Sequence, residues 1–189
     1  MSLPTPRLRT DRLELVPLGL EHAASYARHF VDYEVIQHLS AAVPWPYPEG
    51  GVRDYIEAVV LPRQGSSRWD WALTLRDAPG EAIGSVGLFR DGVPEHRGFW
   101  LSRSRWGEGL MTEAVRPIMD WAFSAGGFEE MVLSNAAGNT RSRRVKEKTG
   151  AELVGVKPSR FVRPDYTESE LWRVTAESWR AWSEANPTT

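Results

Sequence analysis

Between residues 68 and 122 the hydrophobic pattern changes period once, and that change restricts the fold more than any other feature. RWDWALTLRD (68–77) and EAIGSVGLFRDG (81–92) read as a hairpin turning around Pro79 and Gly80, and HRGFWLS (96–102) reads as a third strand. Met111, Ala114, Val115, Ile118, Met119 and Ala122 then fall at i, i+3, i+4, i+7, i+8 and i+11, one apolar helix face. Gly126 and Gly127 suit its end. Pro117 predicts a kink, because a proline inside a helix removes one backbone hydrogen bond. Between the last strand and this helix stands WGEGLM (106–111), with two glycines where the helix must start.

A helix N-terminus leaves its first N–H groups unpaired and carries partial positive charge. Glycines there let an anion approach those groups closely, as a phosphate or pyrophosphate cradle requires. A plain strand-to-helix turn has the same composition. No Gly-Lys-Ser/Thr follows, so this is not a P-loop, and the third glycine of the dinucleotide fingerprint is missing.

On either side the chain alternates elements. Residues 7–16 suit a strand, 20–30 a helix, and 51–61 a second helix ended by Pro62. AAVPWPYPEG (41–50) holds three prolines and is a stiff loop. EEMVLSN (129–135) reads as a strand and 139–149 as a short helix, capped by Asn139 or Thr140 and stopped by Gly150. Strands at 151–162 and 168–175 follow, then a helix at 176–185 carrying Trp179 and Trp182. No repeat or linker interrupts the 189 residues, so one domain over 1–189 is expected, a mixed sheet with helices on its faces.

Composition removes several functions. With no cysteine there is no disulfide, thiolate metal site or cysteine-bound acyl intermediate. His22, His29, His38 and His96 show no metal-ligand spacing, so no metal is expected. A net charge of −2 argues against nucleic acid as a partner. No long apolar run marks a membrane span, and the first residues lack an apolar signal core, so a cytoplasmic protein is expected.

NTRSRRVKEKTGA (139–151) is the second unusual segment. Asn139 and Ser142 are neighbours on one helix face, and Arg141, Arg143, Arg144, Lys146 and Lys148 crowd five cations into one short helix. This is either a solvated basic face or a second phosphate contact beside amide-matching polar groups.

Together these segments resemble the GNAT superfamily of N-acetyltransferases, and within it the Rim-type branch that includes ribosomal-protein N-terminal acetyltransferases. The likeness runs through LRTDRLELVPL, VPWPYP, RGFWLS, WGEGLMTEA and NTRSRRVKEKTGA. It implies an α/β (α+β) fold, a mostly antiparallel mixed sheet of about seven strands flanked by about four helices, with acetyl-coenzyme A as co-substrate. The family's pyrophosphate loop falls on Trp106, Gly107, Glu108, Gly109, Leu110 and Met111; Trp106 replaces Gln/Arg and Met111 a small residue. Asn139 matches the residue contacting the pantetheine arm, Ser142 the serine near the thioester sulfur, and Arg143 adjoins it. The backbone of Leu101, Ser102 and Arg103 is expected to pair with the pantetheine amides.

The same resemblance leaves the chemistry open. Many superfamily members carry a tyrosine acid where this chain has Lys146, so Ser142 is the candidate acid. Arg160 stands where Rim-type enzymes can carry a glutamate, which leaves Glu95 and His96 as candidate bases. Asp165, Tyr166 and Glu168 are placed on the acceptor side, and Trp45, Trp69, Trp71 and Trp100 are expected to wall it. The acceptor implied is an amine, either a protein N-terminus or a small molecule; a non-catalytic coenzyme-binding module is the alternative. A homodimer is expected from the family and from exposed tryptophans on the last helix.

Overall fold

The computed structural model describes residues 3–90 and 95–187. Asp91 and Gly92, the end of the expected second hairpin strand, lie outside the described residues. Eight strands form one sheet: β1 (Leu8–Arg9), β2 (Leu13–Pro17), β3 (Arg68–Leu75), β4 (Gly84–Phe89), β5 (Arg97–Leu101), β6 (Glu130–Ala136), β7 (Glu152–Pro158) and β8 (Glu168–Thr175). Their spatial order is β1-β2-β3-β4-β5-β6-β8-β7, and every neighbouring pair is antiparallel except β5 and β6. Eight strands replace the expected seven because 7–16 is not continuous. Thr10 turns the chain, its N–H donating to the Leu13 carbonyl and its Oγ1 accepting from the Leu13 N–H, so β1 folds back on β2.

Six α-helices accompany the sheet: α1 (Ala23–Phe30), α2 (Tyr33–Ile36), α3 (Gly51–Tyr55), α4 (Leu110–Ala122), α5 (Thr140–Glu147) and α6 (Ala176–Ala185). The expected 51–61 helix is α3 continued by a wider π-turn over Ile56–Val60. The short α2, missed in the sequence, is capped by the Asp32 side chain accepting from the Glu34 N–H. α4 runs on through Pro117 to Ala122, and burial of seven of its side chains offsets the missing N–H.

Two apolar layers hold the helices to the sheet. α4 and α6 pack on one face over Trp69, Trp71, Leu73, Val86 and Leu88. α1 and α3 pack on the other over Val16, Ala72 and Trp100. Covered on both faces, β3 is buried along almost its whole length, and its side chains alternate between the two layers. This corrects the expected aromatic wall. Trp69 and Trp71 are core residues packed on Trp121, and their indoles donate to the carbonyls of Leu3 and Pro6 at 2.8 and 2.7 Å. Trp45 is exposed against Tyr33, and only Trp100 approaches the site below. The tryptophans of α6 are not an exposed patch either. Trp179 is buried with its indole on Asp120, and Trp182 stacks on it and packs over Gly150. Among the described residues no helix is long and apolar enough to cross a membrane.

Ile118 is fully buried between α4 and the sheet, so it reports on this packing. Ile118→Ala should cost about 2–5 kcal/mol, read as a lower urea midpoint at unchanged slope. A loss below about 1 kcal/mol would contradict the packing described.

Candidate active site

The sheet opens between β5 and β6. The two strands are parallel and meet in register only at Arg97 and Leu133. Across the other edge β5 is fully paired with β4. The Phe89 N–H donates to the His96 carbonyl and the Ser102 N–H to the Ile83 carbonyl. Successive residues of a strand direct their backbone groups to opposite neighbours. The N–H and C=O groups of Phe99 and Leu101 therefore face the gap. The Leu101 carbonyl accepts from the Trp106 indole at 2.9 Å, which leaves the Leu101 N–H and both backbone groups of Phe99 facing it without a partner among the described residues. The pairing edge thus lies at Phe99 and Leu101 rather than at Leu101 to Arg103. Ser102 is turned inward, with Oγ 3.2 Å from His29 Nδ1 and 3.0 Å from Ser104 Oγ, and Arg103 starts a short 3-10 turn. Neither lines the cavity.

At the end of the gap the glycine turn reaches α4. Gly107 and Gly109 have φ of +85° and +81°, and a Cβ on Gly107 would meet nothing within 4 Å. Backbone conformation, not crowding, therefore requires glycine at Gly107. Among the described residues the N–H groups of Gly107 through Thr112 have no backbone partner, as a helix start dictates. Arg12, on the β1–β2 turn, fixes this end: it donates to the Glu108 carbonyl at 3.1 Å and, through Nε, to Glu113 at 2.7 Å. Thr10 donates to the same carboxylate at 2.5 Å. Partial burial pushes the Glu113 carboxyl up, but the hydrogen bonds from Thr10 and Arg12 outweigh it and hold it below the usual range.

α5 borders the gap opposite β5. Asn139 is its cap, with Oδ1 accepting from the Ser142 N–H at 3.1 Å, so its amide Nδ2 is free to donate. Ser142 presents Oγ to the cavity and accepts from Lys146 Nζ at 2.9 Å. The five cations do not act alike. Arg141, Arg144 and Lys148 line the cavity. Arg143 does not; it is held by Glu147 at 2.9 Å and Glu170 at 2.8 Å. Arg141 lies 3.7 Å over the Trp106 ring and reaches His38 Nε2 at 3.4 Å. Lys146, expected on a basic face, is 1% exposed.

Gap, turn and helix bound one continuous cavity of roughly 660 Å³. Its far side is made by His38, Ser40, Phe89, Glu95, Lys157, Arg160 and Phe161. Glu95 faces it, paired with Lys157 at 3.0 Å. His96 does not line it; its Nδ1 accepts the Val132 N–H at 2.9 Å and its ring packs edge-on to Phe128. Asp165, Tyr166 and Glu168 also stand off the lining. Tyr166 instead stacks on His38, 5.5 Å away. Glu108 directs its carboxylate to Arg105 at 3.8 Å, and Leu110 and Met111 bury their side chains, so these three offer backbone only.

His38 was passed over in the sequence, where nothing separates it from the other histidines. Burial, then the Arg141 guanidinium, lower its pKa below the ordinary value, which favours the neutral ring. Arg97 and Asn135 were also missed; as residues of strand sequences they carry no local mark. Burial lowers the Arg97 guanidinium to about 10.

Unpaired N–H groups at a helix start, cavity cations and a strand edge with free amides suit one extended ligand, anionic at one end and amide-bearing along its length. Coenzyme A has that pattern. Among the described residues no three His, Asp or Glu side chains converge as metal ligands.

Comparison with known proteins agrees. Residues 12–152 match the family described as acetyltransferase (GNAT) domain. The FsC-acetyl coenzyme A-N(2)-transacetylase of Aspergillus fumigatus is 28% identical over 188 residues, covering 92% of this chain and 78% of that protein. A structure assigned as an acetyltransferase of T. thermophilus superposes with a TM-score of 0.75 at 26% identity, covering 100% of both chains. RimL, the ribosomal L7/L12 alpha-N-protein acetyltransferase solved with coenzyme A, superposes with a TM-score of 0.75 at 18% identity, over 94% of this chain and 99% of that one. At that identity the likeness is one of fold. The chain belongs to the GNAT acetyltransferase family, enzymes that move an acetyl group from acetyl-coenzyme A to an amine.

Proposed function

We propose that this chain, acting as one domain, moves the acetyl group directly from acetyl-coenzyme A to a primary amine while both substrates are bound. The observation that carries this is the β5–β6 gap, which runs unbroken from the glycine turn past Ser142 to Glu95. The N–H groups of Gly109 to Thr112 hold the pyrophosphate, with Arg144 and Lys148 beside them. Phe99, Leu101 and Asn139 Nδ2 bond the pantetheine amides.

The amine enters from the Glu95 side. Attack on the thioester carbonyl requires an amine without its proton, and Glu95 takes that proton directly or through one water. A backbone N–H of β5 stabilises the oxygen that becomes negative. The carbon–sulfur bond then breaks, and Ser142 Oγ donates its proton to the sulfur. No acetyl-enzyme forms on cysteine, because the chain has none.

A protein N-terminal α-amine is the first acceptor class, by resemblance to Rim-type enzymes. A second reading, a small-molecule amine, is favoured by two observations. With Lys157 paired to Glu95, Arg160 leaves the entrance with a positive balance, which disfavours a basic ribosomal tail. A side cavity of roughly 210 Å³, lined by Tyr26, Phe30, Tyr47, Phe99 and Trp100 among others, also adjoins and suits an apolar substituent of a compact acceptor. A cytoplasmic location and a homodimer belong to the same reading.

Thiol release from acetyl-coenzyme A, measured across N-terminal peptides and small amines, tests this directly. Turnover is expected with one class, and Ser142→Ala should lower kcat about 100-fold. No release with any amine would overturn direct transfer. Gly109→Ala forces a side chain into left-handed backbone, so KM for acetyl-coenzyme A should rise about tenfold with kcat less affected. Unchanged KM would remove the turn from the binding site. Glu95→Gln should depress kcat at neutral pH about 10–100-fold, and an unaltered kcat would exclude Glu95 as the base.

A further inference from the structure

Lys146 is a buried cation that the chemistry above does not use. It sits on the inner face of α5, 1% exposed, and its only hydrogen-bonding partner among the described residues is Ser142 Oγ at 2.9 Å. Its surroundings are strongly polar for a protein interior. Arg97 projects from β5, Glu170 from β8 and Asn135 from β6, all buried, and Nζ lies 5.4 Å from the centre of the Phe99 ring. Glu170 accepts from Asn135 at 2.9 Å and from Arg143 at 2.8 Å, so it is shared with another cation. The Arg97 Nη2 group and Asn135 Oδ1 are buried without a partner among the described residues. An ammonium placed here is costly unless it has a task.

We propose that Lys146 and Ser142 form a proton relay: Lys146 orients the Ser142 hydroxyl toward the coenzyme sulfur and refills its proton when the thiolate departs. The inference rests on the reading above, in which Ser142 faces that sulfur. A hydroxyl oxygen that accepts the Lys146 N–H must direct its own hydrogen elsewhere, and the open direction is the cavity. A serine hydroxyl alone is a poor acid, and an adjacent ammonium supplies the missing driving force.

The step balances. The amine nitrogen forms its bond to the carbonyl carbon, and the carbon–sulfur bond breaks with its electron pair left on sulfur. Sulfur takes the Ser142 Oγ proton, and Ser142 Oγ takes one from Lys146 Nζ, which becomes neutral. Solvent recharges Lys146 through Ser142 after product leaves, while the amine proton leaves through Glu95. Burial, and then the Arg97 guanidinium, pull the Lys146 ammonium well below the usual lysine range, against a smaller opposing pull from Glu170. The relay is therefore charged below that lowered pKa and is lost as pH rises through it. Lys146 acts through Ser142 and is a positioning residue.

The test needs no acceptor. Coenzyme A itself is bound to the full chain, and ionisation of its thiol is followed by thiolate absorbance against pH. Lys146 and the bound thiol should titrate as one coupled pair, and because the charged Lys146 stabilises the thiolate, thiolate absorbance in the wild type should begin to rise about one pH unit lower than in Lys146→Met or Ser142→Ala. The Lys146→Met/Ser142→Ala double variant should match the single variants rather than add to them. Calorimetry should find coenzyme A affinity within about threefold of wild type in each, since neither residue holds the pyrophosphate. A bound thiol that ionises at the same pH in wild type and Ser142→Ala, or a Lys146→Met variant that keeps the wild-type value, would overturn the relay. Should Lys146→Met fail to fold, Lys146→Gln takes its place, and Ser142→Ala, at a position 9% exposed on the cavity wall, still overturns the relay if its thiol ionises as in the wild type. Absence of coenzyme binding by the wild type would instead overturn the underlying reading of the site.

Discussion

One missing set of strand hydrogen bonds governs this molecule. β5 lies in the middle of an eight-stranded sheet, yet it is tied to β6 at a single position. Unmet backbone groups inside a sheet cost about 1–3 kcal/mol each. In the proposed function, a ligand's amides take the absent strand's role at Phe99 and Leu101. Everything around it keeps the gap open. The glycine turn closes one end, Trp106 caps the Leu101 carbonyl, and α5 residues line the opposite side of the cavity. On its other side β5 is paired with β4 along its whole length.

Charge is distributed around the gap by depth. Arg144 and Lys148 line the cavity and suit phosphate. Arg143 is neutralised by Glu147 and Glu170, and Arg141 is spread over an indole ring. Arg97 and Lys146 are both buried, and the Glu170 carboxylate partly offsets the Lys146 charge. Groups in that position have their proton affinities reset by desolvation. Such resetting is what acid–base chemistry at neutral pH requires.

The sequence disclosed the outline of this arrangement for physical reasons. The face Met111 to Ala122 is long and strictly periodic, so α4 and its glycine start were legible, as were the β3–β4 hairpin and the cap at Asn139. The short elements were not. A two-residue β1 and a four-residue α2 are set by single side chains, Thr10 and Asp32, rather than by any period. The tryptophans misled for a related reason. RWDWALTL alternates, but both faces of β3 are buried, so alternation said nothing about which face meets ligand. Lys146 was the hardest to place. At a helix position among four other cations it reads as solvent-facing, and only the position of β5 beside α5 shows that it points inward.

A crystal structure with acetyl-coenzyme A tests the central claim most directly. The account predicts pyrophosphate oxygens on the N–H groups of Gly109 to Thr112, pantetheine amides on Phe99 and Leu101, and the thioester sulfur at hydrogen-bonding range of Ser142 Oγ. Coenzyme bound outside the β5–β6 gap, or with its sulfur turned away from Ser142, would contradict it.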